Sequence, residues 1–177
     1  MALPEPAPRR RLHRRRIELD GFRREDGLWE IEARLTDVKD GAFRLRFRGE
    51  LAPGEPVHDM TLRVTLDDDL TIREVAASMD ATPFPDCPGA TAAFQSLVGV
   101  RIGPGWMKAV RSRIGSVEGC THLFELLRPI ATTAYQTIHP PPDSDGRPML
   151  MNSCHGWRAG GEAIATLYPE WFRPEQG

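Results

Sequence analysis

The chain has 177 residues, 40% of them hydrophobic and 27% charged, with a formal net charge of −2 at neutral pH. That length buries one good core and fits one domain, or one domain with a small appendage. There is no run of about 18 apolar residues and no apolar signal region, so a membrane span is excluded; three dispersed cysteines make a poor disulfide framework, and the expectation is a soluble cytoplasmic protein with free thiols.

Residues 1–15 are expected to form a disordered basic arm. Pro4-Glu5-Pro6-Ala7-Pro8 precedes the run Arg9-Arg10-Arg11-Leu12-His13-Arg14-Arg15-Arg16. Clustered guanidiniums suit phosphates. No aromatic side chain interleaves the run as single-strand binders need, so nucleic acid is set aside as a partner.

Residues 16–177 read as a single α+β domain. Trp29 to Thr36 and Phe43 to Arg48 alternate apolar and polar, the period of strands with one wet face. The connector Asp37-Val38-Lys39-Asp40-Gly41 predicts that they pair as an N-terminal hairpin. Met60 to Leu66 repeats the alternation, Asp67-Asp68-Asp69 turns the chain, and Thr71 to Ala77 continues it, giving an antiparallel meander.

After Cys87 the period becomes helical. Pro88 suits a first helical position, and Ala90, Ala93, Phe94, Leu97 and Val98 form an apolar stripe ending before Gly99. A second helix is expected from Trp106 to Ile114, stopped by Gly115. A third begins near Cys120, with Leu123, Leu126, Leu127, Ile130, Ala131 and Ala134 on one face and a kink at Pro129. The segment from His139 to Pro148 reads as a loop in which His139 is solvated, and Met149–Cys154 with Ala163–Tyr168 as a C-terminal hairpin. Sheet first and helices second favours an α+β fold with about three helices on one face of an antiparallel sheet.

The cysteines suggest one soft-metal site. They lie in Asp86-Cys87-Pro88-Gly89, Gly119-Cys120-Thr121-His122 and Ser153-Cys154-His155, and a fourth cluster is His58-Asp59. Cys87 and Cys120 fall at predicted helix N-termini, where unpaired N–H groups favour an anion, the form in which a thiol binds metal. The predicted ligands are Asp59, Cys87, Cys120 and His122, a set that suits four-coordinate zinc, iron or an iron–sulfur cluster. In a strand, adjacent residues face opposite ways, so only one of Cys154 and His155 reaches such a site, and the same limit holds for His58 and Asp59 unless a bend there relaxes it. His58 and His155 are candidate acid–base groups, and Glu125, one turn beyond His122, can orient its imidazole. The alternative is that all three cysteines are small buried hydrophobes.

On Arg16-Ile17, Gly21 to Ala33, His58-Asp59-Met60, Leu97-Val98-Gly99, Gly119 to Leu123 and Cys154-His155, the chain resembles the bacterial family known as domain of unknown function 2889. That resemblance covers Arg16 to about Trp171 and implies no activity. From Val57 to Ile138 the layout is also similar to iron–sulfur cluster assembly scaffolds of the IscU and NifU type. Val57-His58-Asp59 takes the place of their first loop, Asp86-Cys87 the second, Val98-Gly99 their turn and Cys120-Thr121-His122-Leu123 the last. This second resemblance implies a scaffold-like core over 57–138, with Asp59, Cys87 and Cys120 as ligands and the two hairpins as additions. The scaffolds' first cysteine is absent here, which leaves a mixed Asp/His/Cys site suited to zinc or a single iron.

Two functions follow from these readings. One is a metal-binding accessory or cluster-handling module whose partner is another protein. The other is a metal- or thiol-dependent enzyme acting on a small organic molecule. An enzyme needs an apolar pocket beside the ion, whereas a scaffold presents its ligands near the surface.

Overall fold

The computed structural model describes residues 2–138 and 146–174. The chain divides into two compact units, 1–139 and 140–177, each described by itself.

In the first unit, strand β1 (His13–Arg23) turns through Arg24 to Leu28 into β2 (Trp29–Lys39). The turn is closed by the Arg24 N–H donating to the Leu28 carbonyl at 2.9 Å, with Gly27 at φ 87°. A short hairpin of β3 (Phe43–Leu45) and β4 (Gly49–Leu51) intervenes before β5 (Pro56–Leu66) and β6 (Ile72–Ala81). The main sheet is antiparallel throughout, in the order β1-β2-β5-β6.

The N-terminal hairpin is therefore not the expected one. β2 pairs with β1 from His13↔Lys39 to Arg23↔Trp29, and Phe43–Leu45 pairs only with β4. An eleven-residue partner offers a long ladder, which a stretch broken by a turn at residues 46–48 does not. β1 also begins inside the run assigned to the basic arm.

Burial on β2 alternates as its sequence does. Ile31, Ala33 and Leu35 are fully buried, while Glu32 and Arg34 face out. On the buried side lie a 3₁₀ segment (Cys87–Leu97), α1 (Trp106–Ile114) and α2 (Thr121–Ile138). The first of these runs where a regular helix is expected, with Pro88 at its start and Phe94 and Leu97 buried. α2 continues through Pro129 and buries Leu123, Leu126, Leu127, Ile130, Ala134 and Ile138, the spacing of one helical face. It packs on β1, β2 and β5. Gly21 lets it come close, since a Cβ there would lie 2.2 Å from Thr137 Oγ1. With Thr137 over Gly21, the first turn of α2 lies over the opposite end of the sheet, where Arg15, Asp37 and His58 sit side by side.

The second unit holds a 3₁₀ turn (His155–Trp157), helix α3 (Glu162–Leu167) and a 3₁₀ turn (Pro169–Trp171). The expected C-terminal hairpin is absent from its described residues. Glu-Ala-Ile-Ala-Thr-Leu is rich in helix formers and has one buried side chain, Ile164, so neither propensity nor a period of two supports a strand. His139 lies outside the described residues.

Candidate metal centre

The buried alternation of β2 does not stop at Leu35. Its next member is Asp37, 1% exposed, and a buried carboxylate persists only when its oxygens are satisfied. Its neighbours in the ladder do this: Arg15 stands opposite on β1, His58 opposite on β5, and His13 diagonal to it. Arg15 donates from Nε to Oδ1 at 2.9 Å and from a terminal nitrogen to Oδ2 at 2.7 Å. His13 Nε2 lies 2.8 Å from Oδ1 and His58 Nδ1 2.9 Å from Oδ2. His13 is braced by Lys39, whose Nζ is 3.0 Å from Nδ1.

α2 completes the group. His122, in its first turn, places Nε2 4.0 Å from Asp37 Oδ2 and lays its ring 3.8 Å from that of His58, tilted 32°. Glu125, one turn on, pairs with Arg15 and ties the helix to β1. Its carboxylate thus holds the guanidinium rather than the His122 imidazole it was expected to orient.

Electrostatics sets the protonation states. Burial alone would raise the Asp37 carboxyl; hydrogen bonds from Arg15 and His13, with the Arg15 charge and His58, outweigh it and hold the group well below the usual carboxylate range. Burial pushes His58 below its ordinary value, as does neighbouring His122, and the bond to Asp37 only partly offsets this. His122 is lowered by burial and then by the Arg15 charge, against the pull of Asp37 and Glu125. Both rings are therefore neutral at pH 7, the form in which imidazole binds metal.

Asp37, His58 and His122 each offer one ligand atom, and these atoms lie within 4.8 Å of one another. Zinc–ligand bonds of about 2.0–2.2 Å let one ion bridge donors roughly 4 Å apart. Asp37, His58 and His122 would hold such an ion, and Arg15, which donates to both Asp37 oxygens, would keep the carboxylate in place.

Of the residues singled out in the sequence, His122 and His58 are in this group. Asp59 is not: it follows His58 in β5 and so turns to the outer face, where Arg34 holds it at 2.8 and 2.7 Å. Cys87 and Cys120 line a cavity of about 640 Å³ together with His58 and His122. Cys120 Sγ is 3.9 Å from His122 Nδ1, on the ring edge away from Asp37. Cys154 and His155 are exposed in the second unit. Cys154 caps a 3₁₀ turn rather than lying in a strand, and His155 Nε2 is 3.2 Å from a terminal nitrogen of Arg158. On sequence alone Asp37 falls in a connector and His13 and Arg15 in the basic arm. The signal that locates Asp37 is its place in the series Ile31, Ala33, Leu35.

The family model described as "Protein of unknown function (DUF2889)" matches residues 13–136, and the chain belongs to that family. No curated protein and no solved structure matches it.

Proposed function

We propose that this member of the DUF2889 family binds one zinc or ferrous ion through Asp37, His58 and His122 and uses it on a small organic molecule. The observation that carries this reading is the meeting of a buried carboxylate with two neutral imidazoles, drawn from two strands and a helix, within 4.8 Å. Two histidines and one carboxylate on one side of an ion leave coordination positions open, the arrangement of metal sites that polarise a substrate or activate a bound water. The donors are sunk in the protein, Asp37 fully and His58 and His122 largely, and the two histidines border a cavity of small-molecule size. Cys120 acts as the partner of His122: with Nε2 on the metal, the Nδ1 N–H donates to Sγ and fixes the ring.

A second reading, a cluster-handling module, draws on the presence of Cys87 and Cys120 in the same cavity and on the scaffold-like order of residues 57–138. The outward turn of Asp59 removes one of the three ligands that likeness implies.

The test is elemental analysis with an absorption spectrum on untagged protein purified without oxygen, beside Asp37→Asn and His122→Ala. About one equivalent of zinc or iron in the parent, lost in both variants, supports the triad. Metal retained in both variants refutes it, and a sulfide-bearing cluster lost on removing the cysteines selects the second reading.

A further inference from the structure

The cavity beside the triad has a lining that selects among ligands. Its walls are apolar: Met60 is fully buried, and Pro83, Phe84 and Ala90 line it with Met60. Among the described residues no lysine or arginine lines it, and Asp86 is its one carboxylate. Arg15, the nearest guanidinium to the triad, is turned onto Asp37 and Glu125. Without a bound ion an anionic head group finds no fixed cation there. At the rim Phe84 meets Phe47 edge to face, centroids 6.1 Å apart, with both rings more than half exposed. Such a pair offers planar apolar area to an aromatic or alkyl body. On the inner wall His58 uses Nδ1 for Asp37 and leaves Nε2 without a hydrogen-bond partner among the described residues.

We infer that the cavity takes an uncharged, apolar organic molecule, with its body against Met60, Phe84 and Ala90. His58 donates from Nδ1 to Asp37, so its Nε2 is itself an acceptor, and a carbonyl oxygen on that molecule would be held by a bound ion and not by the imidazole. The lining carries the choice of ligand class; only the placement of the oxygen on an ion rests on the metal reading.

The experiment uses the full chain labelled at its methionine methyls, zinc-loaded and zinc-free, titrated with acetophenone and separately with benzoate, a body of similar size with a charged head. In the zinc-free chain acetophenone is expected to shift the Met60 methyl saturably and at least tenfold more tightly than benzoate, and zinc loading is expected to tighten acetophenone further. Ala90→Trp, which fills the cavity, is expected to abolish the shift while zinc content and thermal unfolding stay at parent values; should that variant not fold, Phe84→Ser is expected to weaken acetophenone at least threefold. Benzoate binding the zinc-free chain as tightly as acetophenone, or a Met60 methyl unmoved by either, overturns the assignment. A zinc-free chain that takes acetophenone but never retains zinc overturns the metal reading and leaves the ligand class standing. Retained zinc with no acetophenone shift does the reverse.

Discussion

Asp37→Asn tests the centre most directly, because every other group in it is placed by that carboxylate. The variant keeps the side-chain size and loses the charge that Arg15, His13 and His58 share. Breaking a fully buried ion pair costs about 3–5 kcal/mol. Arg15 keeps 34% of its side chain in water and retains Glu125, so the expected loss is about 2–3 kcal/mol. For a chain of this length that lowers Tm by about 5–10 °C. Urea unfolding across pH gives a sharper signature. The folded Asp37 carboxyl lies below its ordinary 3.8, so its contribution is full above that value and drains away as pH falls beneath it. His58 and His122 lie below their ordinary 6.5; charging them disfavours the folded state, so stability is also lost as pH falls below 6.5. The variant is expected to lack the lower wave. The upper wave should deepen, because the bond that lifted His58 toward its ordinary value has gone. A variant within about 0.5 kcal/mol of the parent at neutral pH, the spread of ordinary surface changes, or one whose curve parallels the parent's below 3.8, would show that Asp37 does not organise the site.

His122→Ala should cut zinc retained after dialysis at least tenfold, whereas Cys120→Ser should keep one equivalent and weaken affinity about tenfold, as loss of a ligand's orienting partner does; abolished binding in Cys120→Ser would instead place the thiol on the metal. Because both imidazoles lie below 6.5, protons should displace the metal only beneath that pH, and half-release at or above it in a pH titration of bound zinc would contradict neutral ligands. Gly21→Ala forces a Cβ to within 2.2 Å of Thr137 Oγ1 and should cost about 1–3 kcal/mol by urea unfolding. Adding Thr137→Ala should recover at least half of that loss, and no recovery would mean that the close approach of α2 is not what Gly21 serves.

The sequence makes the β5–β6 pair legible through the alternation of Met60 to Leu66 and the Asp-rich turn after it, although register shifts at both ends break the period and β6 buries Ile72, Val75 and Ala81. It does the same for α1 and α2, whose apolar positions recur at helical spacing and whose ends carry glycine or cysteine–threonine. β1 is harder to see because an arginine occupies one of its inward positions: Arg15 leads the series completed by Ile17, Leu19 and Gly21, and at sequence level it merges with the basic run before it. Without β1, the next alternating stretch is the partner that the sequence offers β2, which is why Phe43 is expected there. Half of the site was readable for the same reason. Histidine beside a thiol or a carboxylate advertises chemistry, but Asp37 is conspicuous only once β2 is known to extend two residues past Leu35. Cys154 and His155 carry the same local wording as Cys120 and His122, yet they fall in an exposed turn.

Burying the Asp37 carboxylate under Arg15, itself only partly withdrawn from water, is a poor way to hold a sheet to a helix. An apolar pair of similar volume fills such a space with equal or better stability, typically by about 1–4 kcal/mol, because it avoids stripping water from two charges. The fold already has apolar means of docking α2 in Leu123, Leu126, Leu127 and Ile130. The cluster therefore needs a reason other than stability, and a carboxylate held ionised beside two neutral imidazoles supplies one. The double variant Arg15→Met/Asp37→Leu separates the two explanations. If the cluster serves the metal, the double variant unfolds at or above the parent's urea midpoint, well above Asp37→Asn alone, and retains no zinc. If it loses as much stability as Asp37→Asn, the charges hold the fold together and the metal reading loses its main physical motive.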